Sequence, residues 1–297
     1  MNIPGFVLIR ELGEGGFGKV YQAYAANGQQ VAIKALKNPT NPILRRFIHE
    51  ARIMSANAAN KHMVNVYGCN LDHDPPYIVM EYCDGGSLRT WVTQRRPWKV
   101  VAAALIHAAR GLSTLHQANG FHRDVKPDNL LLTNNQPDGP TIKLADFGLA
   151  RIPTTEMPMT HTAAGTEEYM APELIAREPM SSAADIFSLG ITGIELLTGR
   201  RGVSNAKNAA APKQLIALLT QMTLSDASQR PSARTVVAQL SEIYAHESTE
   251  QAPPQATQGS DSLLAGLLIG GALLGGLGIV AFAIDQDTKA RNVKLKL

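Results

Sequence analysis

The most informative segment of the chain is His122-Arg123-Asp124-Val125-Lys126-Pro127-Asp128-Asn129, followed by Asp146-Phe147-Gly148 and later by Ala171-Pro172-Glu173. It concentrates charged and amide side chains in a few residues. Two motifs upstream have to be considered with it, because a short pattern that stands alone is weak evidence. They are a glycine-rich segment at residues 13–20 and an apolar strand at 31–34 that contains a lysine.

The glycine-rich segment is Gly13-Glu14-Gly15-Gly16-Phe17-Gly18-Lys19-Val20, and it lies between two predicted strands. Glycine lets the backbone turn sharply and approach phosphates closely. A plain hairpin turn would produce the same pattern, so the segment alone leaves both interpretations open. A strand on each side argues against a dinucleotide site, which requires a helix after the glycines.

The lysine-bearing strand is Val31-Ala32-Ile33-Lys34. The alternation of a strand places Val31 and Ile33 on one face and Ala32 and Lys34 on the other. Lys34 could extend to solvent from a strand edge or direct its charge at phosphates. Glu50, on a helix predicted at residues 42–57, supplies a carboxylate that could hold Lys34 in place.

With these motifs in this order and at compatible spacings, residues 6–244 resemble the eukaryotic-type protein kinases. The resemblance implies an α+β, bilobal fold that binds ATP and Mg²⁺. Short strands rich in Val, Ile and Tyr up to residue 83 predict a small antiparallel lobe (6–83), and helical patterns after it predict a larger lobe (84–245). The predicted kinase domain is therefore residues 1–245.

The resemblance also implies a role for each matching position. Asp124 corresponds to the aspartate that accepts or orients the substrate hydroxyl proton, Lys126 neutralises charge on the phosphoryl group, and Lys34 with Glu50 holds the α- and β-phosphates. Asn129 and Asp146 correspond to the Mg²⁺ ligands. Met80 matches the gatekeeper. The ATP-binding positions are Leu12, Gly13, Glu14, Gly15, Gly16, Phe17, Gly18, Lys19, Val20, Ala32, Lys34, Glu81 and Cys83 through their main chains, and Leu131.

Acceptor type and regulation are predicted from the same resemblance. Lys126 and Gly165-Thr166 favour serine and threonine over tyrosine as acceptors, and Thr166 is expected to bond toward Asp124 and Lys126. Arg123, directly before Asp124, is typical of kinases that are controlled by phosphorylation nearby. Thr160 and Thr162 are the candidate autophosphorylation sites, although each could equally be an ordinary loop hydroxyl.

Three further positions are expected to be structural. Asp185 matches an aspartate that braces the catalytic loop, and Glu173 is expected to pair with Arg230.

Phe187 stands where the family usually has tryptophan. The chain between Thr198 and Leu215 is shorter than usual, which leaves substrate selection by that surface in doubt.

The C-terminal part has a different composition. Residues 246–262 read as a flexible linker. Residues 263–284 carry no charged side chain and reach roughly 33 Å as a helix, which predicts one transmembrane helix and a single-pass membrane protein with a cytoplasmic kinase domain. The basic tail, 285–297, opposes this topology by the positive-inside rule, so a re-entrant segment stays an alternative. Gly271 and Gly275 fit a helix-dimer motif, and a homodimer through this helix or the kinase domain is open.

Composition excludes several function classes. The chain is 44% hydrophobic and 18% charged with a formal net charge of +3, and its basic residues are scattered, so nucleic acid is not an expected partner. Its two cysteines indicate a reducing compartment. The expected partners are protein substrates and a membrane, and the arrangement of domains resembles bacterial kinases. A silent pseudokinase scaffold and an active glycine-rich tail are the alternatives. The scaffold would be indicated by loss of Lys34, Asp124, Asn129 or Asp146, and all four are present.

Overall fold

The structure, a computed structural model, describes residues 1–15, 18–37, 40, 60–134, 139–146 and 167–249. The helix predicted at 42–57, the part of the predicted linker after residue 249, the apolar segment and the basic tail lie outside these ranges. Among the described residues, no helix combines the length and the apolar character needed to cross a membrane.

The N-terminal part is a five-stranded antiparallel sheet in the order β1-β2-β3-β5-β4. Alternation along β3 decides which side chains enter its core: Val31 and Ile33 share one face, as predicted, and pack there with Ala35, Tyr77 and Val79. The register pairs Val20 with Lys34 and Ala32 with Met80, so the predicted ATP-binding positions share neighbouring strands. The strands are β1 (Phe6–Gly15), β2 (Gly18–Ala25), β3 (Gln30–Leu36), β4 (Val66–Asn70) and β5 (Tyr77–Glu81).

The rest of the domain is mainly helical, with one small sheet of β6 (Gly86–Ser87), β7 (Leu130–Thr133) and β8 (Thr141–Leu144). The bilobal α+β arrangement that the sequence predicts is therefore present. The helices are α1 (Arg89–Gln94), α2 (Trp98–Gln117), α3 (Pro172–Ile175), α4 (Ser182–Thr198), α5 (Lys213–Met222) and α6 (Ala233–Thr249).

The two central helices, α2 and α4, pack against each other, and α2 also contacts β8 and α6. Helix α4 begins where the Ser181 hydroxyl accepts the Ala183 N–H and ends at Gly199, whose φ of 71° is left-handed. Its residues are buried almost all round, as expected for a core helix. It carries Asp185 and Glu195, two carboxylates that have to find partners inside the protein.

Two boundaries differ from the sequence expectation or refine it. Helix α6 continues to Thr249, past the predicted start of the linker at 246, where no proline or glycine interrupts the helical pattern until residue 253. The shortened segment after α4 contains a 3₁₀ helix, Val203–Asn208, in which Ala206 is buried in the main core.

Candidate active site

The catalytic loop converges on the carboxylate of Asp124. Lys126 Nζ lies 2.8 Å from Asp124 Oδ2, and the Asn129 amide Nδ2 donates to the same oxygen at 2.9 Å and to the Asp124 carbonyl at 2.7 Å. Asn129 reaches back because Pro127–Asn129 forms a single 3₁₀ turn before β7. One carboxylate oxygen is thereby held by two donors.

The other oxygen of this carboxylate, Asp124 Oδ1, is buried and has no hydrogen-bond partner among the residues that the structure describes. Asp124 as a whole is 7% exposed. A buried carboxylate oxygen without a partner costs free energy, so such positions are often functional. Of the two oxygens of this carboxylate, Oδ1 is the one that receives no donor from the described residues.

The loop before Asp124 is anchored by Asp185 on α4. Asp185 Oδ2 accepts the His122 N–H and Oδ1 accepts the Arg123 N–H, each at 2.8 Å, while His116 Nε2 lies 2.9 Å from Oδ2. Arg123 has a φ of 71°, a left-handed conformation that a non-glycine residue adopts at a cost. The two N–H bonds to one buried carboxylate hold the backbone in this shape, which confirms the predicted brace.

His122 orients the loop from inside. Its Nε2 lies 3.0 Å from the Ala145 carbonyl oxygen, and Nδ1 accepts the Asp124 N–H at 3.3 Å. Because a carbonyl only accepts, Nε2 carries the proton. Ala145 N–H in turn donates to the Asn129 carbonyl at 2.9 Å, so the catalytic loop and the residue before Asp146 are joined by hydrogen bonds.

Lys34 and Asp146 meet across the two lobes. Lys34 Nζ lies 2.8 Å from Asp146 Oδ1; the lysine side chain is buried and the aspartate is half exposed. Asp146 has a φ of 60°, a left-handed conformation that a non-glycine residue adopts at a cost. The structure therefore brings together Lys34 and Asp146, residues far apart in sequence. Glu50, the predicted partner of Lys34, lies outside the described residues.

The segment expected to contact adenine has a buried ion pair beneath it. Lys143 Nζ on β8 lies 2.8 Å from Glu81 Oε2, and Lys143 is only 1% exposed. The Glu81 N–H donates to the Asn65 carbonyl at 2.8 Å. The Glu81 carboxylate is thus held by Lys143 and also accepts the Asn65 N–H at 3.2 Å. Sequence reasoning missed Lys143, because a single lysine in a short strand reads as a surface residue.

Cys83 ends the same segment. Its thiol is buried, and burial raises its pKa to about 12. Such a thiol stays protonated and unreactive near neutral pH. Ala32 is buried on β3, while Val20, Met80 and Leu131 are half buried, and the last two pack on the main core.

The glycine-rich segment is described in part. Gly18 needs its missing side chain: a Cβ there would lie 2.1 Å from the Ala35 carbonyl oxygen of β3. Lys19 pairs with Glu11 at 2.7 Å and with Glu14 at 3.3 Å, and Lys37 also contacts Glu14. These exposed ion pairs join the ends of β1, β2 and β3. Leu12, Gly13 and Gly15 belong to β1, whereas Gly16 and Phe17 lie outside the described residues.

The predicted pair of Glu173 and Arg230 is confirmed as a bidentate contact. Arg230 Nη1 lies 2.6 Å from Oε1 and Nη2 lies 2.8 Å from Oε2, with the arginine side chain fully buried. The Arg230 guanidinium also stacks 5.0 Å from the ring centroid of Phe187, so this phenylalanine retains an aromatic face for the arginine. The candidate regulatory residues Thr160, Thr162 and Thr166 lie outside the described residues.

Comparison with known proteins assigns the family of this arrangement. The family model described as "Protein kinase domain" matches residues 6–241. Similar curated proteins are the serine/threonine-protein kinase Pkn1 of Myxococcus xanthus (34% identical over 201 residues, 66% of this chain and 29% of the relative) and cst-1 of Caenorhabditis elegans (39% over 199 residues, 66% and 39%). The serine/threonine-protein kinase sid1 of Schizosaccharomyces pombe is 36% identical over 201 residues, which cover 67% of this chain and 42% of sid1. The chain thus matches less than half the length of each.

Proposed function

Since the chain belongs to the protein kinase family, we propose that it transfers the γ-phosphate of ATP to serine and threonine side chains of protein substrates. The names of the similar kinases from Myxococcus, Caenorhabditis and Schizosaccharomyces support the serine/threonine class. Lys126, two residues after Asp124, supports the same class. The enzyme is accordingly a serine/threonine protein kinase.

The observation that carries the proposal is the asymmetric environment of the Asp124 carboxylate. Lys126 and Asn129 hold Oδ2, while Oδ1 is buried and has no partner among the described residues. A substrate hydroxyl that donates to Oδ1 would be oriented for attack and could pass its proton to this oxygen. A positioned base of this kind contributes typically ~10²–10⁴-fold to a rate.

The residues present fit ATP with Mg²⁺. Asp146 offers a half-exposed carboxylate, and Asn129 turns its amide nitrogen to Asp124, which leaves the amide oxygen on the other side. Hard oxygen ligands of this type suit Mg²⁺, which bridges and neutralises phosphate oxygens when it is bound. Lys34 would hold the phosphates by charge, and the main chains of Glu81 and Cys83 would hold the adenine. Lys34, Asp124, Asn129 and Asp146 are all present, so the sequence carries no sign of a catalytically silent scaffold.

The test is transfer of radioactive phosphate from ATP, with Mg²⁺, to a mixture of serine and threonine peptides. The full chain is compared with Asp124→Asn and with Asp72→Asn, an exposed aspartate in the β4–β5 turn. We expect labelled serine or threonine with the unaltered chain and with Asp72→Asn, and at least a ~100-fold loss with Asp124→Asn. Equal labelling in all three, or none in any, would reject the proposal.

We also propose that the kinase phosphorylates its own activation segment on Thr160 or Thr162. The position of Arg123 beside the catalytic aspartate supports this, because an arginine there can pair with a phosphate group. Mass spectrometry of the active full chain should find phosphate on one of these threonines and none in Asp124→Asn. An active enzyme without phosphate at either position would contradict it.

We further propose that residues 263–284 anchor the protein in a membrane as a single span, with the kinase domain in the cytoplasm. Their length and lack of charge support the proposal. In flotation with liposomes the full chain should rise with the lipid, and Leu273→Arg with Leu274→Arg should not, because each arginine costs ~2.5–3.5 kcal/mol at a helix centre. Equal flotation of both proteins would refute the anchor.

We also propose a homodimer through the glycine-rich face of this segment, supported by the spacing of Gly271 and Gly275. Close approach of two copies would raise the local concentration of kinase for phosphorylation between them. Crosslinking in liposomes should give a dimer that is lost when both glycines are replaced by leucine. A dimer that persists in this variant would exclude the glycine face.

A further inference from the structure

An arginine of the kinase itself binds the carboxylate of Asp128 in the catalytic loop. Arg89, the first residue of α1, donates from Nε to Asp128 Oδ1 at 3.2 Å and to Oδ2 at 3.1 Å, and from Nη2 to Oδ2 at 2.6 Å. Asp128 is the next residue but one after Lys126 in the catalytic loop, and it lies on the 3₁₀ turn with Asn129. Both oxygens of this carboxylate are therefore engaged.

The same guanidinium also binds two buried side chains, Glu195 and Tyr169. Arg89 Nη1 donates to Glu195 Oε1 at 2.9 Å, and Nη2 donates to the Tyr169 hydroxyl at 2.8 Å. The Tyr169 hydroxyl in turn donates to Glu195 Oε2. Glu195 is 3% exposed, so its carboxylate contacts Arg89 and Tyr169 rather than solvent. Arg89 thus joins the catalytic loop to α4 and to the 3₁₀ turn Glu167–Tyr169.

A second arginine, Arg201, contacts the same group of carboxylates. Arg201 Nε lies 3.2 Å from Glu195 Oε1, Arg201 also pairs with Glu168, and its guanidinium lies 5.7 Å from the ring centroid of Tyr169. Among these residues two arginines contact three carboxylates, so one negative charge is in excess. Each of Asp128, Glu168 and Glu195 has an arginine partner within the chain.

This network borders the place where the acceptor must lie. Asp124 and Tyr169 line one small cavity together with Met170 and Leu174. Asp128 lies directly before Asn129, whose amide donates to Asp124 Oδ2 at 2.9 Å, so a protein segment that brings a hydroxyl to Asp124 passes close to the turn that carries Asp128. Arg89 is about one-third exposed there, and Asp128 is about half exposed, so both can face the segment.

From these contacts we infer that Arg89 determines acceptor specificity by acting as an internal counter-ion, so that the kinase accepts serine and threonine in sequences without a neighbouring arginine or lysine. The inference rests on the proposed kinase function. To use Asp128, a substrate cation has to displace a bidentate arginine that the fold already holds at high effective concentration. To use Glu195, it has to enter a buried site that three donors already fill.

Titration behaviour is consistent with this arrangement. The hydrogen bonds with Asp128 raise the pKa of Arg89. Burial raises the pKa of Asp128, but the hydrogen bonds from Arg89 outweigh it, and the pKa falls below its ordinary value. Both groups therefore stay charged and paired throughout the range in which kinases are assayed.

The experiment is a positional peptide scan with the full chain. A threonine peptide with alanine at every flanking position is compared with peptides that carry one arginine at each position from four before to four after the threonine. We expect kcat/KM to vary by less than about 3-fold across the scan. With Arg89→Met, which keeps the apolar stem, one position should gain at least ~10-fold in preference for arginine, the value of one hydrogen-bonded charge pair.

Two further variants isolate the cause. Arg89→Met combined with Asp128→Asn should lose the gained preference, because the exposed carboxylate is gone. Arg96→Met, an exposed arginine that lies over Trp91 and contacts no carboxylate in the described residues, is the matched control and should keep the flat profile. A requirement for arginine in the unaltered kinase, or an unchanged profile in folded Arg89→Met, would overturn the inference.

A binding measurement keeps the inference separable from the proposed function. The same peptides, labelled with a fluorophore, are titrated with each protein in the presence of a non-hydrolysable ATP analogue, and anisotropy gives the relative affinities. Phosphate transfer to no peptide would reject the proposed function, and the affinity ratios would then decide the role of Arg89 alone. If Arg89→Met does not fold, Asp128→Asn serves: less than a 3-fold change in the ratios supports the inference, and a loss of arginine preference contradicts it.

Discussion

Replacing Arg230 by methionine should destabilise the large lobe strongly. The Arg230 side chain is 0% exposed and makes bidentate contacts with Glu173 at 2.6 and 2.8 Å. It also donates to three backbone carbonyls, those of Leu224 at 2.7 Å, Ala183 at 3.0 Å and Ser225 at 3.1 Å. Methionine keeps part of the stem and removes every one of these donors. The Glu173 carboxylate would then be a buried charge without a counter-ion.

The magnitude follows from the loss of one partner of a buried ion pair, which costs ~3–5 kcal/mol. For a domain of this size about 1 kcal/mol lowers Tm by ~2–4 °C, so the expected decrease is about 6–20 °C. Urea denaturation of the full chain, followed by tryptophan fluorescence, gives the free energy of unfolding. Arg96→Met is the control and should lie within ~0.5 kcal/mol of the unaltered chain, because that side chain is exposed.

A double-mutant cycle distinguishes a specific pair from general loss of packing. Glu173→Leu, Arg230→Met and the double variant are compared. Removal of both charges leaves no unpaired carboxylate, so the double variant should be more stable than the sum of the two single losses predicts, by up to ~3 kcal/mol. A loss below about 1 kcal/mol for Arg230→Met, or strict additivity, would refute the reasoning.

Three further predictions test the charges and the thiol of the same fold. Burial raises the pKa of Glu173, but the hydrogen bonds from Arg230 outweigh this effect and lower the pKa below 4.5. The stabilisation by this pair is therefore present above pH ~4.5 and is lost as the pH falls through the native pKa. The free energy of unfolding, measured from pH 7 to 3, should depend less on pH in the Glu173→Leu, Arg230→Met double variant than in the unaltered chain. Burial raises the pKa of Cys83 to about 12 from 9.0, so alkylation of Cys83 by iodoacetamide at pH 8 should be at least ~100-fold slower than in urea-unfolded protein, as followed by mass spectrometry; equal rates would contradict a buried thiol. Asp185→Asn replaces one of two carboxylate oxygens that accept N–H groups by an amide donor, so kcat should fall at least ~10-fold while KM for ATP changes little, and an unchanged kcat would show that the brace is dispensable.

Much of the site was predictable from the sequence, because its chemistry lies in short motifs. Residues 122–129 carry Asp124, Lys126 and Asn129 so close together that a single 3₁₀ turn brings their side chains into contact. Strand alternation placed Lys34 and Ala32 on the face opposite Val31 and Ile33, which is the arrangement observed. Local periodicity is sufficient in such cases, since it depends only on neighbours along the chain.

Other contacts depended on residues far apart in the chain. The resemblance to kinases predicted that Asp185 braces the loop and that Glu173 meets Arg230, but the local pattern around these residues contains neither partner. Lys143 under Glu81 and Arg89 on Asp128 were not predicted at all. Each is a long side chain whose sequence context fits a solvent-exposed position equally well.

The sequence by itself therefore determined the family, the five strands of the N-terminal sheet, the main helices of the larger lobe and the candidate catalytic groups. The small sheet of β6, β7 and β8 was not predicted, and the helix predicted at 42–57 lies outside the described residues. The tertiary structure alone decided the charge contacts that no motif indicated: Lys143 with Glu81, and Arg89 with Asp128 and Glu195. The physical reason is that a motif or a periodic pattern reports which residues are close along the chain or share a face. A buried charge is compensated by whatever side chain the packing of other helices and strands brings within about 3 Å of it.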